Sequence, residues 1–255
     1  MDMNRREFLG SAAVGGLTGL ALSATGAEAN PDLPLIDLHV HLDNSTIDAV
    51  MMLSKERGVR FGVVEHAGTK ENVYPTVLSN DEELGRYVAM LEGKAHYKGV
   101  QAEWTDWMGC FSKEAALKLD YVLTDTMTFP GPNGERMKLW EKEAVIGPPE
   151  TFMDRYVDWH VQIMSTEPID ILANTSWLPG PLGADYEAWW TDARIQKVVD
   201  AALKYQVAFE ISSGFQLPKR HFLQVAKSAG VKFALGSNGR YPKMGLLDYS
   251  VRLAS

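Results

Sequence analysis

After its first thirty-odd residues, the chain alternates short apolar β-rich runs with amphipathic stretches, seven times over. The runs are 33–40, 60–65, 97–103, 121–126, 169–174, 207–212 and 232–236. Between them lie helical patterns near 46–57, 80–94, 112–118, 150–165, 187–205 and 219–229, and a last one from about 244 to the end. Strict β-then-α alternation implies a parallel sheet with helices packed outside it. No Gly-rich phosphate loop follows the first run, which argues against a dinucleotide-binding open sheet. The expectation is therefore an α/β fold, a distorted (β/α)7 barrel of parallel strands with its site at the C-terminal strand ends. Gly58 after Lys55-Glu56-Arg57 and Gly230 after Lys227-Ser228-Ala229 read as helix stops. The chain ends in a helical pattern with no eighth strand run, so the barrel has seven strands or the sequence is truncated.

The N-terminus reads differently. Asn4-Arg5-Arg6-Glu7-Phe8-Leu9 is a twin-arginine pattern, followed by a weakly apolar, uncharged stretch to about Gly26 and a small-x-small site at Ala27-Glu28-Ala29. Residues 1–29 are expected to be a twin-arginine signal peptide, leaving 30–255 as one domain in the periplasm or outside the cell. The stretch is too rich in Gly, Ala and Ser for a good spanning helix, so no membrane association is expected once the signal is removed. The net charge of −8 argues against nucleic acid and anionic membrane surfaces as partners. Cys110 is the single cysteine, so no intrachain disulfide forms, and it reads as a small buried residue rather than a nucleophile. Oligomeric state has no signature in the sequence.

The first run ends Ile36-Asp37-Leu38-His39-Val40-His41. Side chains two apart in a strand share a face, so His39 and His41 can present ring nitrogens to one transition metal. Polar residues recur at the other strand ends: Asp43 after the first, Glu65-His66, Glu103, Asp125 and Met127, Asn174, Glu210 with Ser212-Ser213-Gly214, then Gly236-Ser237-Asn238-Gly239-Arg240. As a set they read as one shared site. His96, His160 and His221 lie in or beside helical stretches and read as surface or core histidines.

Across most of the chain after the signal, the order of these motifs resembles the PHP (polymerase and histidinol phosphatase) family of metal-dependent phosphoesterases. Ile36–His41 resembles its opening HxH motif, and Lys55-Glu56-Arg57-Gly58-Val59 with Val63-Val64-Glu65-His66 its second. Gly99–Glu103 resembles the segment that supplies a metal-bridging glutamate, and Asp120–Met127, Asp170–Asn174, Glu210–Gly214 and Gly236–Arg240 the later ones. The resemblance implies His39, His41, His66 and Glu103 as metal ligands. It also exposes departures: Met127 and Asn174 stand where the family has histidines, Asn238 where it has an aspartate, and Arg240 where it has a histidine. Arg240 is a fixed positive charge that cannot ligate a metal but can clamp a phosphate or carboxylate. One or two divalent transition ions (zinc, manganese or iron) are expected in place of the family's three.

The function implied is a metal-dependent hydrolase acting on a phosphoester or other small anionic substrate. Arg240, Asn174 and Asn238 would contact the substrate, and Asp125 or Glu65 would move a proton. Two alternatives stay open: a weakened pseudoenzyme that binds an anionic metabolite, and an amidohydrolase-like barrel, which also opens with HxH but usually has eight units and a closing aspartate. The long segments 128–149 and 177–185 read as loops at the barrel mouth.

Overall fold

The structure, a computed structural model, describes residues 33–43 and 45–254. The twin-arginine pattern and residues 1–29 lie outside the described residues. Eleven strands are present among those described: β1 (Ile36–His41), β2 (Arg60–Ala67), β3 (Val77–Leu78), β4 (Tyr97–Ala102), β5 (Tyr121–Thr124), β6 (Thr128–Pro130), β7 (Arg136–Lys138), β8 (Ile171–Leu172), β9 (Ala208–Ser212), β10 (Phe233–Gly236) and β11 (Gly239–Arg240). The described helices are α1 (Ile47–Arg57), α2 (Asp81–Leu91), α3 (Lys113–Ala116), α4 (Pro149–Thr166), α5 (Tyr186–Trp189), α6 (Asp192–Tyr205), α7 (Arg220–Ala229) and α8 (Asp248–Ala254).

The seven expected strands are β1, β2, β4, β5, β8, β9 and β10, and they pair in parallel in the order β10-β9-β8-β5-β4-β2-β1. The two-residue β11 adds to the free side of β1, giving a nearly closed barrel of eight strands. No apolar run announced β11 because it is a turn's width of Gly239–Arg240, held by pairing with Val40 and His41. β6 and β7 form a separate antiparallel hairpin inside the long 128–149 segment.

Asp37 draws the two sides of the opening together. One carboxylate oxygen accepts from the backbone N–H groups of His39 (3.1 Å) and Ser237 (2.9 Å). The other accepts from Ser237 Oγ (2.5 Å) and the Gly245 N–H (2.7 Å). Burial raises the Asp37 pKa, against the lowering effect of those donors.

Two apolar layers follow from the alternation of strand side chains. Ile36, Leu38, Val64, Tyr121, Leu123, Ile171, Ala173, Ala208 and Ala234 fill the barrel interior. A larger layer, including Val40, Val63, Val100, Phe209 and Ile211, faces the helices. The Tyr121 ring sits where side chains at Gly62 and Gly99 would be, and its hydroxyl donates to the Leu38 carbonyl at 2.8 Å. The interior is thus a packed plug beneath the C-terminal ends, as in other barrels of this kind. Helix ends follow their local chemistry. Thr46 Oγ1 accepts from the Ala49 N–H at 3.2 Å to start α1, and Gly58 (φ 64°) and Gly230 (φ 91°) close α1 and α7 in left-handed conformation. No described helix is long and apolar enough to cross a membrane.

Candidate metal centre and its surroundings

β1 carries one extra residue against β2: Asp37 faces Phe61, and Val40 faces Val63. Such a bulge re-aims side chains locally. Both histidines of the HxH pair are buried at this end of the barrel, with ring centroids 5.1 Å apart. Their environments differ sharply. His39 is hydrogen bonded at both nitrogens, Nδ1 to Glu210 Oε1 at 2.7 Å and Nε2 to Gln101 Oε1 at 3.0 Å. Burial alone would lower its pKa, but the Glu210 carboxylate outweighs this and the net shift is upward. His41 is fully buried with no hydrogen-bond partner at either nitrogen. Burial, then the neighbouring His39, His66 and Arg240, push its pKa well below the ordinary value, so the ring is neutral.

His66, from the end of β2, stacks on His41 at 4.8 Å. Its Nδ1 pairs with Glu103 Oε1 at 3.2 Å, while Nε2 is buried without a partner. Tyr74, from the loop after β2, stacks on the other face of His66 at 3.5 Å. Asp43 completes the cluster. The chain turns through positive φ (42°) there, and Oδ1 is buried and unpartnered, while Oδ2 accepts from Arg240 Nε at 2.6 Å. One ligand atom each from His41, Asp43 and His66 lies within 4.8 Å of the others.

Buried polar atoms without partners are uncommon, because each carries a desolvation penalty. Here all four nitrogens and oxygens of that kind on His41, His66 and Asp43 fall in one cluster. Two imidazoles and a carboxylate are a donor set for a divalent transition cation. The His66–Glu103 bond is the carboxylate–imidazole pairing that orients a ligating histidine. The residues present therefore fit a metal.

The other half of the site is a closed hydrogen-bond network. Gln101 Nε2 and Asn174 Nδ2 both donate to Asp125 Oδ2, at 3.2 and 3.3 Å. The Asn174 N–H donates to Glu210 Oε2 at 2.6 Å, and Ser212 Oγ donates to Asn174 Oδ1 at 3.3 Å. Met127 Sδ receives a long contact from Asn174 Nδ2, at 3.7 Å. Burial and the Glu103 carboxylate raise the Asp125 pKa to about 7. Glu65 Oε1 accepts from the Leu42 and Asp43 N–H groups at 3.1 and 3.2 Å, and its Oε2 is buried without a partner. Burial and then Asp43 raise its pKa, also to about 7.

The structure thus brings His41, His66 and Asp43 together, with His39 and Glu103 adjacent and their polar atoms already engaged. Arg240 lies half exposed at the rim on Asp43, and its Nη1 reaches the Asn238 side chain at 3.3 Å. Asp43 was visible only as a polar strand end, and Glu210 as one that also opens a family-like segment. Gln101, Asn72, Tyr74 and Arg136 gave no separate signal. Arg136 Nη2 donates to Asn72 Oδ1 and, at 3.4 Å, to Glu103 Oε2.

The remaining histidines lie away from this cluster. His160 is a core residue, bonded to the Tyr156 carbonyl at 2.7 Å and Thr126 Oγ1 at 3.2 Å. His221 pairs with Asp192 on the surface. Cys110 is partly exposed rather than buried, with burial still raising its thiol pKa, so it is no activated nucleophile.

The class defined here is an α/β barrel of parallel strands whose C-terminal ends carry a His/His/Asp cluster with the donor set for a metal ion. No protein-family model matches the chain, and no curated protein matches it. Among solved structures, it is similar to a histidinol phosphate phosphatase from Lactococcus lactis, determined with zinc, L-histidinol and phosphate. The TM-score is 0.56 at 14% identity, covering 87% of this chain and 91% of that one. The fold implied by the PHP resemblance is the fold observed. Weaker likenesses, to the citrate synthase SbnG (TM-score 0.39, 12% identity, 80% and 86% covered) and a Yersinia pestis DHPS with a pterine-sulfa conjugate (0.40, 11%, 86% and 91%), carry no argument.

Proposed function

We propose that the chain is a metal-dependent hydrolase of small anionic substrates, with phosphoesters the best-supported class, and that one divalent ion sits on His41, Asp43 and His66. The observation that carries this is the convergence of buried, unpartnered ligand atoms on those three residues. The zinc, histidinol and phosphate of the similarly folded phosphatase support the same substrate class. Held by His41, Asp43 and His66, such an ion would supply Lewis acidity and water activation at neutral pH.

The chain's own residues supply the rest. Glu103 holds the His66 ring in orientation through Nδ1. Asp125, with a pKa near 7, holds or accepts a proton at its carboxylate, fixed by Gln101 and Asn174. Glu65 offers Oε2 as a second proton acceptor. Arg240, at the rim, attracts the anion, with Asn238 beside it. His39 and Glu103 remain further ligand positions if the engaged atoms are released. The proposal includes export by the twin-arginine pattern at Asn4–Leu9, so that the substrate is met outside the cytoplasm.

A second reading has one observation in its favour. The half of the site around His39, Gln101, Asp125 and Asn174 is hydrogen bonded to itself, as suits a binding protein that no longer turns over. Metal analysis of protein purified without chelators, followed by a phosphoester panel with added zinc or manganese, separates the two. About one ion per chain with hydrolysis supports the hydrolase. One ion with phosphate binding and no hydrolysis supports the binding protein. No retained ion and no cleavage removes the hydrolase reading.

A further inference from the structure

The β6–β7 hairpin is an insertion between β5 and α4, and it is firmly mounted. The Leu139 N–H donates to the Met127 carbonyl at 2.9 Å, closing its base, and the Gly131 N–H donates to the Glu135 carbonyl at 2.8 Å, closing its tip. From α4, Trp159 Nε1 donates to the Thr128 carbonyl at 2.9 Å and Arg155 Nη2 to the Pro130 carbonyl at 2.7 Å. The Arg155 guanidinium also lies over the Phe129 ring at 4.9 Å. The first residue of β7, Arg136, is thereby delivered to the metal centre.

Its side chain is 12% exposed, and its guanidinium is permanently charged. Nη2 is used, on Asn72 Oδ1 and Glu103 Oε2. Nε and Nη1 are buried with no partner, and so is Nδ2 of Asn72. The Asn72 amide occupies its place only because residue 68 is glycine; a Cβ there would meet Nδ2 at 2.5 Å. Three donor atoms on two touching side chains therefore lack acceptors, one step from His66 through Glu103. Arg240 is differently placed: its Nε is consumed by Asp43, and it is 46% exposed.

We propose that Arg136 and Asn72 form the inner anion subsite, and that its ligand is a group with at least three terminal oxygens on one centre, a phosphomonoester or inorganic phosphate, rather than a carboxylate. Three unpartnered donor atoms match three oxygens, and a guanidinium is well suited to phosphate. Leaving these donors unmatched costs free energy that an oxyanion recovers. The inference rests on the proposed reading of the metal cluster as an anion-taking hydrolytic site, and assigns the recognition to a residue outside every strand-end motif.

Calorimetric titration of the metal-loaded protein with inorganic phosphate, and separately with acetate, tests it. Arg136→Gln should weaken phosphate binding at least tenfold, and Asn72→Leu three- to tenfold. Acetate should bind at least tenfold more weakly than phosphate. If Arg136→Gln does not fold, Arg136→Lys, which keeps the charge but loses donors, should still lose about tenfold. Phosphate binding within threefold of the parent in Arg136→Gln or Arg136→Lys, or acetate binding as tightly as phosphate, overturns this inference and leaves the metal-dependent hydrolase standing. Absence of any phosphate binding by the unmutated, metal-loaded chain overturns both.

Discussion

Replacing His41 by leucine should have opposite effects on stability with and without metal. In the metal-free protein, both His41 nitrogens are buried and unpaired. Each unmatched polar atom costs about 1–3 kcal/mol. Leucine has nearly the volume of the imidazole and no polar atoms. Against the gain stands the lost stacking on His66 at 4.8 Å, about 0.5–1.5 kcal/mol. With each nitrogen at the low end of that range, the net change in a chelator is a stabilisation of about 0.5–1.5 kcal/mol, or about 1–6 °C in Tm at about 2–4 °C per kcal/mol for a domain this size. With zinc or manganese at about a hundredfold over Kd, the unmutated protein should gain about 2.7 kcal/mol by mass action, and thus about 5–11 °C. His41→Leu loses a ligand and should gain little. The order of melting temperatures should therefore invert between chelator and metal, read by circular dichroism melts in the two conditions. If His41→Leu melts below the parent in chelator, the unpaired nitrogens are not a penalty. If its melting point still rises with metal as the parent's does, His41 is not a ligand.

Two further outcomes concern the frame that holds the site. Burial lowers the His160 pKa to about 4, below its unfolded value near 6.5, so its stabilising contribution is complete above pH 6.5 and is lost as pH falls through 4. The difference between those two values corresponds to about 3 kcal/mol, and His160→Gln should remove about that much of the stability lost between pH 7 and 4 in urea titrations. Asp37→Asn keeps the shape of the barrel seam but sets an amide N–H₂ against donors from Ser237, His39 or Gly245. It should cost at least about 3 kcal/mol in the same titration, and an unchanged midpoint would deny Asp37 its role in closing the barrel.

The seven main strands were legible because each is a buried apolar run, and period and turn residues mark such runs without tertiary information. The expected helix over 187–205 is broken in the structure into α5 and α6 around Trp190-Thr191, where Thr191 turns to extended backbone before Asp192. β11 and the β6–β7 hairpin were not legible, since two or three residues show no period. The site divides the same way. HxH and His66 stood out as residue types at strand ends. Asp43 as a member of the metal cluster depends on a positive-φ turn that brings it back over β2. His39's capture by Glu210 joins residues 171 apart in sequence, a pairing no local pattern encodes. Arg136 lies in no motif, and Gln101 lies inside one that marked only Glu103; their roles exist only in what they touch.

The unequal halves of the site bear on how many ions it holds. At His41, Asp43 and His66, a cation meets lone pairs with no competing partner, so coordination replaces nothing within the protein. Beside His39 and Asp125, a cation would first have to break the bonds His39–Gln101, Gln101–Asp125 and Asn174–Asp125. Hydrogen bonds to charged groups are worth about 1.5–3 kcal/mol each, so every bond broken removes one to two decades of affinity. Neutral amides at 101 and 174 hold His39 and Asp125 at their present separation without an ion's charge. The nearby Glu103 and Asp125 carboxylates stay tolerable together because the Asp125 pKa rises to about 7. Asp125 is thereby a carboxyl group able to exchange its proton near neutral pH, which is what the proposed one-ion hydrolase would need in place of a second metal.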